Sequence, residues 1–169
     1  MSDELNKFVF KVEPKEINYT EGKPLNITNQ FSFYHNKNRF RKDLTRLQTL
    51  FKSRTNDPLL ASGIRDSYLK EVYTENYLVF IFTTKEKIKD SNKIIESNIG
   101  SNNLIKSGCA YIFSTEDYLL LISKEMKGLV LGIDYIEEIF TQVLDDYFKR
   151  KQFDEYIQLK PFNLIACLK

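Results

Sequence analysis

The chain has 169 residues, 42% of them hydrophobic and 14% aromatic, enough to bury the core of one domain. It is too short for a (β/α)8 barrel, which takes about 250 residues. Its 25 basic and 23 acidic residues leave a net charge of +2, which argues against a protein built to coat nucleic acid or an anionic membrane.

The first residues mix charges and precede only a short apolar group, so they lack the pattern of a secretory leader. Phe8, Phe10 and Val12 then alternate with polar residues up to Pro14, which predicts a short strand, and residues 15–19 continue it in extended form. Glu21, Gly22, Lys23 and Pro24 signal a turn. Leu25, Ile27, Phe31 and Phe33 resume a period of two, so a hairpin or meander is expected to open the domain. Phe40, Leu44, Leu47 and Phe51 are spaced by four, three and four, which predicts a helix over residues 41–53, ended by Asp57 and Pro58. Residues 58–75 show no clean period. Residues 77–83 are apolar, aromatic and β-branched, the composition of a buried central strand. Residues 85–103, rich in Lys, Asn, Ser and Ile, read as a short helix plus loop.

Two apolar runs, 109–113 and 118–123, flank a polar loop of Ser114, Thr115, Glu116 and Asp117, the signature of a hairpin. Beyond it Leu129, Ile133, Ile136, Phe140, Val143 and Tyr147 form the best helical stripe of the chain, with Asp134, Glu137, Glu138, Asp145 and Asp146 opposite. Residues 156–159 and 164–168 read as closing strands around Pro161. The order predicts an α+β fold over residues 1–169, one mixed β-sheet with two main helices packed on one face.

The chemistry-bearing residues form no recognisable catalytic set. Glu137 and Glu138 are neighbours on a helix and diverge by about 100°. Asp134 and Glu138 share a face at a spacing of four and read as a solvated surface, while Glu116 and Asp117 read as turn residues. His35 is the only histidine and no serine sits in a GxSxG context, so a nucleophilic triad has no support. Gly128 and Gly132 lack the flanking pattern of a phosphate-binding loop. Lys37, Arg39, Arg41 and Lys42 around Phe40 read as a solvated helix start. Cys109 and Cys167 with one histidine cannot build a four-ligand zinc site; they read as reduced thiols of a cytoplasmic protein, with one disulfide between them as the alternative. Asn18 and Asn26 open Asn-x-Thr triplets, which without secretion are expected to be chance matches in an Asn-rich chain. No apolar run approaches the roughly 20 residues of a membrane span.

Three segments carry a family resemblance: VEPKEINYTEGKPLNI at 12–27, CAYIFSTEDYLLLI at 109–122 and KEMKGLVLGIDYIEEIF at 124–140. In this order they resemble the non-catalytic N-terminal α+β domain of β-N-acetylhexosaminidases, related O-GlcNAcase or hyaluronidase-type enzymes and α-glucuronidases. Lys127, Val130 and Asp134 stand where that family often has alanine, an aromatic and Gln, and the Lys160, Pro161, Phe162 segment matches its domain exit only in part. The resemblance implies a glycoside hydrolase accessory domain in carbohydrate metabolism, whose partner is a catalytic barrel of the same or another chain. In the family the catalytic and sugar-binding residues lie in the barrel, so no catalytic, cofactor-binding or metal-binding residue is assigned here and no cofactor is expected. Gly128 and Gly132 are expected to let the strand-to-helix connection turn tightly and approach the sheet. The alternatives are a stand-alone protein-interaction or homodimerisation module and an independent glycan-binding protein; nucleic acid and membrane are not expected partners.

Overall fold

A computed structural model of the chain describes residues 7–27, 32–35, 41–55, 60–63, 78–83, 106–150 and 157–168. In chain order its elements are β1 (Glu16–Tyr19), β2 (Leu25–Ile27), β3 (Ser32–His35), α1 (Arg41–Thr55), β4 (Leu60–Gly63), β5 (Leu78–Thr83), β6 (Cys109–Ser114), β7 (Leu119–Ser123), α2 (Met126–Arg150), β8 (Ile157–Leu159) and β9 (Phe162–Cys167). Seven strands form one sheet in the order β1-β9-β6-β7-β5-β3-β4, and β2 pairs with β8 in a second sheet. Among the described strands only β3 and β4 run parallel, so the large sheet is mixed and the fold is α+β.

The β6–β7 hairpin forms because two runs of β-prone apolar residues meet across a loop that Thr115 locks. The Thr115 N–H donates to the Tyr118 carbonyl at 2.9 Å, and the Thr115 hydroxyl accepts from the N–H groups of Asp117 and Tyr118 at 3.2 and 3.3 Å. Strand alternation then sorts the side chains. Ala110, Ile112, Leu119, Leu121, Leu164 and Ala166 join the core beneath α2, while Tyr111, Leu120 and Ile122 point the other way. Those three are buried as well, so β6 and β7 are covered on both faces, and Ile81 of β5, opposite Leu120, is buried with them.

Helix α2 carries the predicted stripe. Leu129, Ile133, Ile136 and Phe140 are fully buried, Val143 and Tyr147 nearly so, and each fully buried side chain of this kind is worth about 1.5–3 kcal/mol. Gly128 and Gly132 sit on the sheet side. A Cβ at Gly128 would stand 2.6 Å from the Cys109 carbonyl oxygen and collide with the Ser123 hydroxyl; one at Gly132 would collide with Leu121 Cδ1 and lie 3.1 Å from Ala110 Cβ. Close approach to the sheet is therefore their role. The tight turn expected of them is not: both lie inside α2, and the positive-φ glycines among the described residues are Gly22 and Gly108. Helix α1 packs against α2 and places Leu47 in the same core.

The opening of the chain departs from expectation. No strand forms at residues 8–12, because α2 side chains hold that backbone instead of a neighbouring strand. The Val9 N–H donates to Gln142 Oε1 at 2.9 Å and Gln142 Nε2 donates back to the Val9 carbonyl at 2.8 Å. The Lys11 N–H donates to Glu138 Oε1 at 2.9 Å and the Tyr135 hydroxyl donates to the Val12 carbonyl at 2.8 Å. Phe8 and Phe10 point inward against Phe162 and Tyr135, and Val9 is left 73% exposed. Nor do β1 and β2 pair with each other: β1 lies beside β9 and β2 beside β8. Phe31 and residues 85–103 lie outside the described residues, as does most of 58–75 apart from β4.

Cys109 and Cys167 are joined by a disulfide with an S–S distance of 2.10 Å, in place of the reduced thiols expected. The reason lies in the register. The Leu168 N–H donates to the Gly108 carbonyl at 2.8 Å, which makes the next pair along, Cys109 and Cys167, a non-hydrogen-bonded pair whose side chains lie close. Their separation of 58 in sequence carries no trace of this.

Candidate functional site

Three segments meet at one end of the large sheet and border an open groove of about 340 Å³. The β1–β2 turn supplies Thr20, Glu21, Gly22 and Lys23, the β6–β7 hairpin supplies Ser114 through Tyr118, and Pro161 comes from between β8 and β9. Each wall is held by the fold. The Thr20 N–H donates to the Pro161 carbonyl at 3.1 Å, which ties the first segment to the third. Gly22 takes φ 136°, a conformation that glycine adopts freely, and Thr115 fixes the hairpin as described. Lys160, beside Pro161, stacks its ammonium over the Tyr19 ring at 5.3 Å, and burial holds its pKa below the usual lysine value.

Ser114 stands at the inner wall. It is 2% exposed and its hydroxyl finds no hydrogen-bond partner. An unsatisfied buried hydroxyl costs about 1–3 kcal/mol, so such a group invites explanation. Among the described residues the exposed lining adds Glu21, Glu116, Asp117 and Lys23, with the Lys160 ammonium nearby over Tyr19. Among the described residues no group of three or more His, Cys, Asp or Glu is arranged to hold a metal ion. Glu116 and Asp117 serve as turn residues, as expected, and in addition line this groove.

The other acidic candidates are occupied structurally. Asp134 Oδ1 accepts from Arg46 of α1 at 2.8 Å, and Glu137 lies 3.9 Å from the same guanidinium. With side chains more than a third exposed, the pair contributes about 0–1 kcal/mol. Glu138 is the clamp for Lys11, so Asp134 and Glu138 do not act as a pair. Tyr135, between these carboxylates, has its pKa raised, first by burial and then by Glu138, Glu13 and Asp134. Tyr19 is raised chiefly by burial, against the lowering effect of the Phe8 N–H that donates to its oxygen at 2.7 Å. His35 lies in β3 opposite Phe80 and Gly63. Lys37, Arg39 and Phe40 lie outside the described residues, and Arg41 and Lys42 open α1.

Residue patterns alone did not point to the groove, since Thr20 to Lys23, Ser114 to Tyr118 and Pro161 are far apart in sequence and each reads as an ordinary turn. The one local signal was the pairing of two turns rich in acid and hydroxyl groups. No helix among the described residues is long and apolar enough to cross a membrane. Comparison with protein-family models, with curated proteins and with solved structures finds no match to this chain.

Proposed function

We propose that the chain is a non-catalytic accessory domain associated with a glycoside hydrolase, packing against a catalytic barrel of the same or another chain. The observation that carries this reading is the seating of α2. The segment 124–140, which resembles the family, is also the segment in which Gly128 and Gly132 bring a helix onto the β6–β7 hairpin so closely that a Cβ at Gly128 would meet the Cys109 carbonyl and one at Gly132 the Leu121 side chain. The α+β order of elements supports the same reading.

Two measurements test it. The purified chain should release no chromophore from aryl N-acetylglucosaminide or aryl glucuronide, and release that co-purifies with it would overturn the proposal. Where the reading frame after Lys169 or an adjacent gene encodes a barrel, the two should elute as one particle when produced together; a barrel that elutes alone counts against it. A cytoplasmic setting belongs to this proposal. It requires the Cys109–Cys167 bond to form in a reducing thiol pool, and alkylation at the moment of lysis counts the free thiols.

A second reading, a stand-alone interaction or homodimerisation module, is favoured by β1, which among the described residues is an outer strand of the large sheet paired with β9. Light scattering decides it: a stable dimer supports the module, and a monomer at high concentration removes it.

A further inference from the structure

We propose that residues 7–13 form an exchangeable strap: the cleft on β1 and α2 that holds them in one chain takes the same strap of a second copy, giving a dimer with reciprocally swapped straps. The inference rests on the homodimerisation reading and gives it an interface other than the β1 edge. The cleft is built as a surface that reads an extended peptide. Five hydrogen bonds hold the strap, and each joins a side chain of the body to the strap's main chain. Tyr19 accepts from the Phe8 N–H at 2.7 Å, Gln142 makes both bonds to Val9, Glu138 takes the Lys11 N–H and Tyr135 reaches the Val12 carbonyl. Main-chain bonds of this kind give affinity, and sockets for alternate side chains give selectivity. Here Phe8 and Phe10, each 7% exposed, fill the sockets, with Phe162 5.6 Å from the first ring and Tyr135 5.3 Å from the second.

The reading groups are held without the strap. Gln142 Nε2 also donates to the Glu138 carbonyl one turn back at 3.0 Å, which orients its amide, and Tyr19 stands in β1, which the ladder to β9 fixes. An incoming strap therefore meets a cleft that needs little ordering. Two observations select a second copy as its source. The cleft already fits this sequence, so exchange recreates every contact and the balance between the two arrangements falls to the hinge and to concentration. The strap also presents apolar side chains outward: Val9 is 73% and Val12 54% exposed, two of the three large hydrophobic side chains that stand exposed among the described residues. The hinge, residues 13–15, follows at once, and two exchanged hinges running side by side about a two-fold axis bring this outward face against its mate. Glu13 and Lys15 are exposed, and Pro14 biases Glu13 toward the extended backbone that carries a strap away from its own body.

The test mixes two variants of the full chain. Phe8→Ala with Phe10→Ala keeps the cleft but lacks the rings that seat a strap, whereas Tyr135→Phe with Gln142→Ala keeps the strap but loses three of the five hydrogen bonds of the cleft. Calorimetry should show the two associating one to one, at least about ten-fold more tightly than either associates with itself. A mixture that associates no more tightly than its components overturns the proposal. Should the phenylalanine variant fail to fold by circular dichroism, deletion of Pro14 and Lys15 decides: a hinge too short for the strap to return to its own cleft should lower the concentration at which light scattering shows a dimer by about ten-fold, and an unchanged or higher concentration overturns the exchange. The outcomes separate this inference from the reading beneath it. A dimer of wild-type strength in Phe8→Ala with Phe10→Ala lies on another surface, so the exchange fails and the homodimer stands, whereas monomers throughout overturn both.

Discussion

The β6–β7 hairpin carries a buried serine at each end, both on the face that meets α2, and the two are treated in opposite ways. Ser123, fully buried, donates its hydroxyl to the Cys109 carbonyl at 2.8 Å, while Ser114, 2% exposed, donates to nothing. They lie roughly 13 Å apart along the strands. At the Ser123 end the disulfide, the close approach of Gly128 and the serine hydroxyl form one closed arrangement: the Cys109 carbonyl lies beyond the last β6–β7 pair, Ala110 with Ser123, and takes its hydrogen bond from a side chain instead. At the Ser114 end three segments stand apart around an open groove. The difference teaches that the same hairpin satisfies a buried hydroxyl where a backbone carbonyl is left over beside it and leaves one unsatisfied where the strand runs into the turn.

That contrast can be broken most strongly at the closed end. Reduction of the disulfide, or Cys109→Ser with Cys167→Ser, releases a loop of 58 residues and should cost about 4 kcal/mol, read as a fall of roughly ten degrees in Tm. Gly128→Ala drives a methyl into the Cys109 carbonyl and should cost about 3 kcal/mol in urea unfolding. Gly132→Ala meets the movable end of Leu121 and should cost about 1 kcal/mol, so the order of the two glycines is itself a check.

The serines sharpen the comparison directly. Ser123→Ala leaves the Cys109 carbonyl without its donor and should destabilise by about 1–2 kcal/mol. Ser114→Ala removes a buried group that bonds to nothing and should be neutral or stabilising by up to about 1 kcal/mol; a loss as large as that of Ser123→Ala would mean that the two ends are equivalent after all.

The smallest effect concerns pH. Tyr19 and Tyr135 have folded pKa values raised above 10.0, so above that pH the unfolded chain releases protons that the native state retains. Their contribution is complete below pH 10 and is lost as pH rises through the folded values. Lys160, lowered from 10.5, acts in the opposite sense: its contribution is present above 10.5 and lost as pH falls through the folded value. Tyr135→Phe should therefore flatten the alkaline loss in chemical denaturation, and Lys160→Met should steepen the net decline, because it removes the opposing gain.

Much of the secondary structure was legible because its signals are local. The spacing from Leu129 to Tyr147 marks α2 without knowledge of its partner, the polar loop between two apolar runs marks β6 and β7, and the β-branched run at 77–83 marks a buried strand. Residues 8–12 show how such a signal misleads: Phe8 and Phe10 do alternate inward, but alternation does not say whether a strand or a row of helix side chains will satisfy the backbone, and here Gln142, Glu138 and Tyr135 do so. The acidic residues of α2 looked solvated for the same reason, since Arg46 and Lys11, which occupy them, come from other elements.

By itself the sequence determined the α+β class, the main helices and the central hairpin, because hydrophobic period and turn chemistry act over a few residues. The tertiary structure alone decided that Cys109 faces Cys167, that β1 and β2 go to different sheets, and that Glu21, Ser114 and Pro161 border one open groove. Each of these is a matter of register and closure between distant segments, where the free energy lies in which surfaces meet rather than in what any one segment prefers.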